Sequence, residues 1–320
     1  MAEPNLTEII ASTLRERQGS AADNVTNKNA LLSRLSERGK VDVHSGGRTI
    51  VRELDYAENS TFKYYTGYEL LDTNASLTLD AAEYDWKQAA VVITISGEDK
   101  RKNSGENGII RLMDHRMTNA MRTLSNNLST GLYSDGTGSG GLQVGGLQSI
   151  VADDPTTGTV GGINAASFTF WRNIAFDATT DGGAAASASN ILSYMNTVYN
   201  QTTRGNEAPD LIPADLNYFG FFEDSQQANQ RFADSKMAEA GFQVYKYKGA
   251  DVVLDNDSGI STNHMYFLNT EFLFWDVHEA ANMTPLEGRA PVNQDADVVP
   301  VIWMGNLTCS NRERQGVLKD

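Results

Sequence analysis

At 320 residues the chain is long enough for two or three domains. With 40% apolar and 21% charged residues, it can bury a core and is not disordered by composition. A net charge of −15 argues against the whole chain gripping nucleic acid, which takes clustered cations, or lying on an anionic membrane.

The N-terminus, MAEPNLTEII, lacks a basic segment followed by an apolar stretch, so no secretory signal is expected and synthesis in a cytoplasm is. Leu6, Ile9, Ile10 and Leu14 fall at helical spacing, as do Leu31, Leu32 and Leu35, with polar GSAADNVTNKN between the two patterns. A segment built this way has no core of its own. It reads as an N-terminal arm that must lie on another surface, and Ser45-Gly46-Gly47 ends it.

From Arg48 to Ile95 the signal turns to β. RTIVREL, STFKYY and ASLTL alternate apolar and polar residues and predict strands, with Gly67 and Asn74 as turns. QAAVVITIS, rich in β-branched residues and closed by Gly97, predicts a buried strand. Its apolar run, Ala89 to Ile93, is far too short to span a bilayer. The stretch before it is rich in Tyr and Thr and modest in aliphatic residues. It reads as a long β excursion needing a partner surface, with an ordinary edge hairpin as the plainer alternative.

Residues 104–134 hold the clearest helix. Ile109, Met113, Met117 and Met121 lie four apart, and Ile110, Ala120, Leu124 and Leu128 widen the stripe, which reads as core. Ser104 or Asn107 caps its start and Gly131 or Gly136 ends it, so a span of 107–130 would be about 35 Å long. Beyond it lies the acidic block, residues 124–300 carrying seven basic and 21 acidic side chains. SASNILSYMNTVYNQT and DSQQANQRFADSKMAEA predict helices there. PDLIPA, ADVVLD, HMYFLN and EFLFWDV predict strands, and DADVVPVIWMGNLTCS closes the chain with another.

No motif assigns catalysis. The GxGxxG string at 136–141 follows a helix and opens none, so the dinucleotide reading fails, and no phosphate-binding GxxxxGK[ST] loop exists. His44, His115, His264 and His278 are scattered, none paired at metal-ligand spacing, although a nucleophile assembled from distant segments stays open. DNDSG at 255–259 lacks the glutamate and helices of a calcium loop and reads as a turn. The single cysteine, Cys309, excludes an intramolecular disulfide and a cysteine-based zinc site. Aromatic pairs such as Tyr64-Tyr65 are not interleaved with a basic patch, so stacking on single strands is not supported. The expectation is a non-enzyme without cofactor or metal.

Several strings, in order, resemble the major capsid proteins of tailed bacteriophages: GLQSIVADDPTTGTVGGIN at 146–164, PDLIPADLNYF at 209–219, YKGADVVLDND at 247–257, MYFLNTEFLFW at 265–275 and MGNLTCSNRERQGVL at 304–318. The order of arm, excursion, buried strand, long helix, acidic domain and final strand likewise resembles the Hong Kong 97-type fold. That resemblance implies an α+β chain divided into an N-arm (1–47), an E-loop β-hairpin (48–90), a P-domain (91–145 and 291–320, spine helix about 107–130) and an A-domain (146–290). It implies a virion shell of hexamers and pentamers around double-stranded DNA, assembled in a bacterial host with scaffolding, portal and decoration proteins. Inter-subunit contact candidates are then Arg48, Arg52, Lys63, Tyr64, Tyr65 and Tyr68 on the E-loop, with Leu6, Ile10 and Leu14 on the N-arm. Lys63 is the only lysine in 48–86, but no Asn and Glu partners for an isopeptide crosslink can be matched to it. The competing readings are an encapsulin-like nanocompartment shell, a surface-layer or binding protein, and an acidic α/β enzyme.

Overall fold

The computed structural model describes residues 29–102, 106–226, 244–255, 259–288 and 293–320, without the side chains of 100 and 102–113. Leu6, Ile10 and Leu14, most of the helix expected over 224–240, and the centre of the DNDSG turn lie outside the described residues.

The chain opens on helix α1 (Ala30–Glu37), where the Asn29 side chain accepts from the Leu32 amide at 2.9 Å and caps the first turn. Strand β1 (Val41–His44) follows, then β2 (Ile50–Asp55), β3 (Leu79–Tyr84) and β4 (Lys87–Ser96). Helix α2 (Glu106–Gly131) leads through a glycine-rich loop to β5 (Thr159–Val160), β6 (Ile163–Asn164) and β7 (Ile174–Asp177). Helix α3 (Ile191–Thr202), β8 (Leu211–Ala214), helix α4 (Leu216–Gln226), β9 (Val244–Tyr247), β10 (Ala250–Leu254) and β11 (His264–Phe267) come next. The last strands are β12 (Leu273–His278), β13 (Thr284–Pro285), β14 (Ala296–Cys309) and β15 (Gly316–Lys319). Among the described residues, no helix is long and apolar enough to cross a membrane.

Two sheets organise these elements. In the first, β14 is the central beam. β4 pairs antiparallel along one edge from Ala296 to Gly305, while β12 and β13 share the other edge and β1 adds in parallel to β12. The second runs β7-β15-β11-β8-β10-β9. Under the first sheet, Ala120, Leu124 and Leu128 of α2 join Trp275, Val301, Trp303 and Leu307 in one core. The Trp275 and Trp303 rings stack at 5.0 Å. Under the second, Met195 and Val198 of α3 and Phe219 and Phe222 of α4 pack on Val252, Phe267 and Leu318. The apolar spacing of α3 and the largely apolar strands β8, β10 and β11, buried on both faces, are what such a layer requires. Gly146 lets the loop after α2 fold back, since a Cβ there would collide with the Gly131 and Leu132 carbonyl oxygens.

The sheets do not divide where the sequence places a boundary. Leu273–His278, expected in the acidic domain, pairs with β14 and β1, and Gly316–Lys319, expected beside the long helix, pairs with β7 and β11 in the second sheet. Val41–His44, expected in the arm, is a strand of the first sheet. Each reassignment is a pairing between segments far apart in sequence, which local pattern does not encode. A further difference lies in the excursion. STFKYY and all of ASLTL except Leu79 form no strand, and only β2 and β3 pair, from Ile50↔Tyr84 to Asp55↔Leu79. Alternation stabilises a strand when one face is buried. From 57 to 78 none of these residues is buried, and Tyr56, stacked on Phe170 at 5.1 Å, is the last to find cover among the described residues.

Candidate functional site

The tip of the excursion presents large apolar side chains to solvent. Phe62, Tyr64, Tyr65, Tyr68, Leu70, Leu71, Leu77 and Leu79 are all exposed, Tyr64 at 91% and Leu70 at 92%. A scattered exposed leucine is ordinary, but a run of eight within 18 residues marks an interaction surface. The tip is held in shape by polar links of its own. Lys63 Nζ donates to the Leu70 carbonyl at 2.6 Å and lies 3.5 Å from Glu69, and the Phe62 and Tyr64 rings meet edge to face at 5.3 Å. Of the sequence candidates, Lys63, Tyr64, Tyr65 and Tyr68 therefore cluster at this tip, whereas Arg48 lies exposed near the root. Phe62, Leu70, Leu71, Leu77 and Leu79 stand exposed beside them and were not among the sequence candidates. The signal was available: apolar residues in a segment with no complementary apolar run beside it.

Arg52 lies elsewhere. Its side chain turns under the root of the hairpin and is engaged within its own chain. Arg52 donates to Asp42 of β1 at 2.7 Å, to Asp276 of β12 at 2.5 Å and to Thr308 of β14 at 3.1 Å, and its guanidinium lies 3.9 Å from the Phe274 ring centre. Burial works against its charge, but the Asp276 and Asp42 carboxylates outweigh burial and hold the guanidinium above its usual pKa. Asp276 is fully buried and also accepts from Thr308 Oγ1 at 2.5 Å and pairs with His44 Nε2 at 2.6 Å. Asp42, His44 and Asp276 form a cluster of metal-ligating type, and the Arg52 guanidinium supplies the cation that two of the three share. His44 thus has partners that its isolation in sequence hid, brought beside it by the parallel β1–β12 pairing that sets His44 opposite His278. Trp86, at the corner between β3 and β4, stands edge-on to both histidines.

Three clefts flank these parts. One, about 550 Å³, lies between β4 and α2 and is lined by Val91, Val92, Thr94, His115, Arg116 and Asn119. A second, about 250 Å³, opens between Glu83, Asp85 and Asp135 and the Gly161-Gly162 turn. The third, about 130 Å³, sits at the hairpin root against Tyr56, Phe170 and Arg314.

This architecture, with its hairpin excursion, long helix under a β14-centred sheet, and second α/β layer, is the α+β Hong Kong 97-type major capsid fold. Solved shell proteins share it over nearly their whole length. A cyanophage A-1(L) capsid protein superposes with a TM-score of 0.68 at 15% identity, covering 98% of this chain and 99% of that one. The capsid of a native GTA particle gives 0.59 at 14% identity, with 95% of each chain covered. An encapsulin from Synechococcus elongatus PCC 7942 gives 0.56 at 10% identity over 99% and 96%. No protein-family model and no curated protein matches the sequence. At these identities the likeness is one of fold.

Proposed function

We propose that the chain is the major capsid protein of a tailed bacteriophage, a structural subunit that assembles as hexamers and pentamers into an icosahedral shell around double-stranded DNA. The observation that carries the reading is the exposed apolar tip at 62–79, a surface that the described residues of its own chain leave uncovered and a second copy can bury. In this reading residues 48–90 are the E-loop, laid over a neighbour. The β14 sheet with α2 forms the peripheral domain, and the β8-centred sheet forms the axial domain around the fivefold and quasi-sixfold axes. The residues before β1 are the N-arm, and Leu6, Ile10 and Leu14 are its contacts. The role is mechanical rather than catalytic. Scaffolding, portal and decoration proteins are its expected partners in the host cytoplasm, and packaged DNA meets the shell through non-specific contacts.

A nanocompartment shell is the second reading, favoured by the encapsulin neighbour of the same fold. Negative-stain microscopy of the overexpressed chain tests both. Shells, tubes or capsomer rings support a shell protein, whereas a homogeneous monomer at high concentration overturns it. DNA inside native particles then supports the virion, and a protein cargo without DNA supports the nanocompartment.

A further inference from the structure

The hairpin β2–β3 hydrogen-bonds as a two-stranded sheet by itself, separate from both larger sheets. It is joined to β1 through Gly46 and Gly47, at φ 155° and 128°, a region open to glycine, and a Cβ at Gly46 would meet no atom within 4 Å. At its other end the chain turns at Asp85 and Trp86 into β4. Covalently, then, the hairpin hangs between two corners. Two kinds of contact hold its root. A small core of Ile50, Leu54, Ala82 and Tyr84 against Ile163 and Trp171 supplies burial, which is non-directional and tolerates sliding. Hydrogen bonds from Glu83 to Gly161 and between Tyr84 and Cys309 anchor only the β3 side. On the β2 side the directional link to the first sheet is Arg52, and it reaches three strands of that sheet at once, through Asp42, Asp276 and Thr308.

We propose that Arg52 is a positioning pin: its fork, seated on Asp276, Asp42 and Thr308, fixes the direction in which the hairpin leaves the body, and hence which surface of a neighbouring copy the apolar tip reaches. A guanidinium suits this task because its planar donors bind several acceptors in fixed directions, which an ammonium does not. The acceptors are themselves rigid. Asp276 is buried on a central strand and is also held by His44 and Thr308, so the seat stays in place if the pin is withdrawn. What the tip meets rests on the shell reading; the pinning itself does not.

Pulsed electron paramagnetic resonance on the dilute, unassembled full chain tests it, with spin labels at Asp80→Cys on β3 and Ser193→Cys on α3. In the parent a single narrow distance distribution is expected. Arg52→Gln is expected to widen it at least twofold, and Arg52→Lys, which keeps the charge and loses the fork, to give an intermediate width. An unchanged distribution in Arg52→Gln overturns the proposal. So does widening accompanied by lost amide protection along β4 and β14, which would mean that Arg52 merely supports the fold. If Arg52→Gln does not fold, Asp42→Asn combined with Thr308→Val decides: widening supports the pin and a parent-like width overturns it. Because no assembly is needed, a parent that never forms shells sinks the shell reading and leaves this result standing.

Discussion

Among single residues, those that matter most to this molecule are polar groups taken inside. Arg312 is fully buried and donates to the Ile150 and Trp171 carbonyls and to Asn173, at 2.6, 3.1 and 3.2 Å. Gln315, equally buried, both accepts from and donates to the Asn269 backbone at 3.0 Å. In sequence, CSNRERQG is polar and charged. It is the crossing between β14 of one sheet and β15 of the other, and its side chains satisfy carbonyls that water cannot reach. Cys309, beside this crossing, is buried, and burial pushes its thiol up to about 12. Thiol-specific alkylation at pH 8 should therefore leave Cys309 unmodified until denaturant is added; labelling of the native chain would contradict its placement. His264 gives a pH-dependent counterpart. Burial alone would lower its pKa, but the Asp153 carboxylate and the Thr262 carbonyl, at 3.1 and 2.8 Å, outweigh burial and raise it. A raised folded pKa stabilises the protein fully below the unfolded value near 6.5, and that gain is lost as pH rises through the folded value. The melting-temperature gap between the parent and His264→Gln should accordingly be larger at pH 6 than at pH 8.5, and a gap independent of pH would remove the charge argument.

Element by element, what was legible in the sequence follows from whether the determinant is local. Of the α2 stripe, a local pattern, Ala120, Leu124 and Leu128 are buried with Met117 packed against them, Met121 is half-buried, and the side chains of Ile109, Ile110 and Met113 lie outside the described residues. The strands β8, β10, β11, β12 and β14 are largely apolar and fall on the predicted segments, β12 running one residue past its own to His278. By contrast, the cluster of Asp42, His44, Arg52 and Asp276 joins segments more than 200 residues apart, through a parallel pairing that no local pattern records. The strands expected at STFKYY and in most of ASLTL failed for the opposite reason: the pattern was there and the covering surface was not. Burial at the β14 beam gives the element-scale prediction. Trp303 is 1% exposed and stacks on Trp275, so Trp303→Ala should cost about 3–5 kcal/mol in chemical denaturation. Leu70→Ser at the exposed tip should cost under about 0.5 kcal/mol. A Trp303→Ala value near zero would mean that the beam is not core.

For the whole molecule, the same tip and the net charge of −15 pull against each other. Under the shell reading, burying eight large apolar side chains drives association, while like-charged copies repel. Assembly followed by light scattering should therefore quicken as ionic strength rises from about 0.05 to 0.5 M, because the screening length shrinks over that range. Replacing Tyr64, Tyr65 and Tyr68 together with Ser should abolish particles and leave the melting temperature within about a degree of the parent, since all three are exposed. Particles that form as readily from the triple variant would remove the tip from the interface.

The threading of β14 and β15 has a consequence for how each copy is made. β4 finds its partner some 200 residues later, β1 pairs with residues beyond 270, and β7 and β11 both wait for Gly316–Lys319. While the ribosome is still short of residue 296, both sheets lack a central strand, and the growing chain carries several open edges and an uncovered apolar tip. Such contacts close slowly, and the incomplete chain is prone to stick to its siblings. The molecule is thus expected to reach its native state only once Gly316–Lys319 have emerged, in a single late step that couples both sheets, and to depend most on chaperones in the interval just before that.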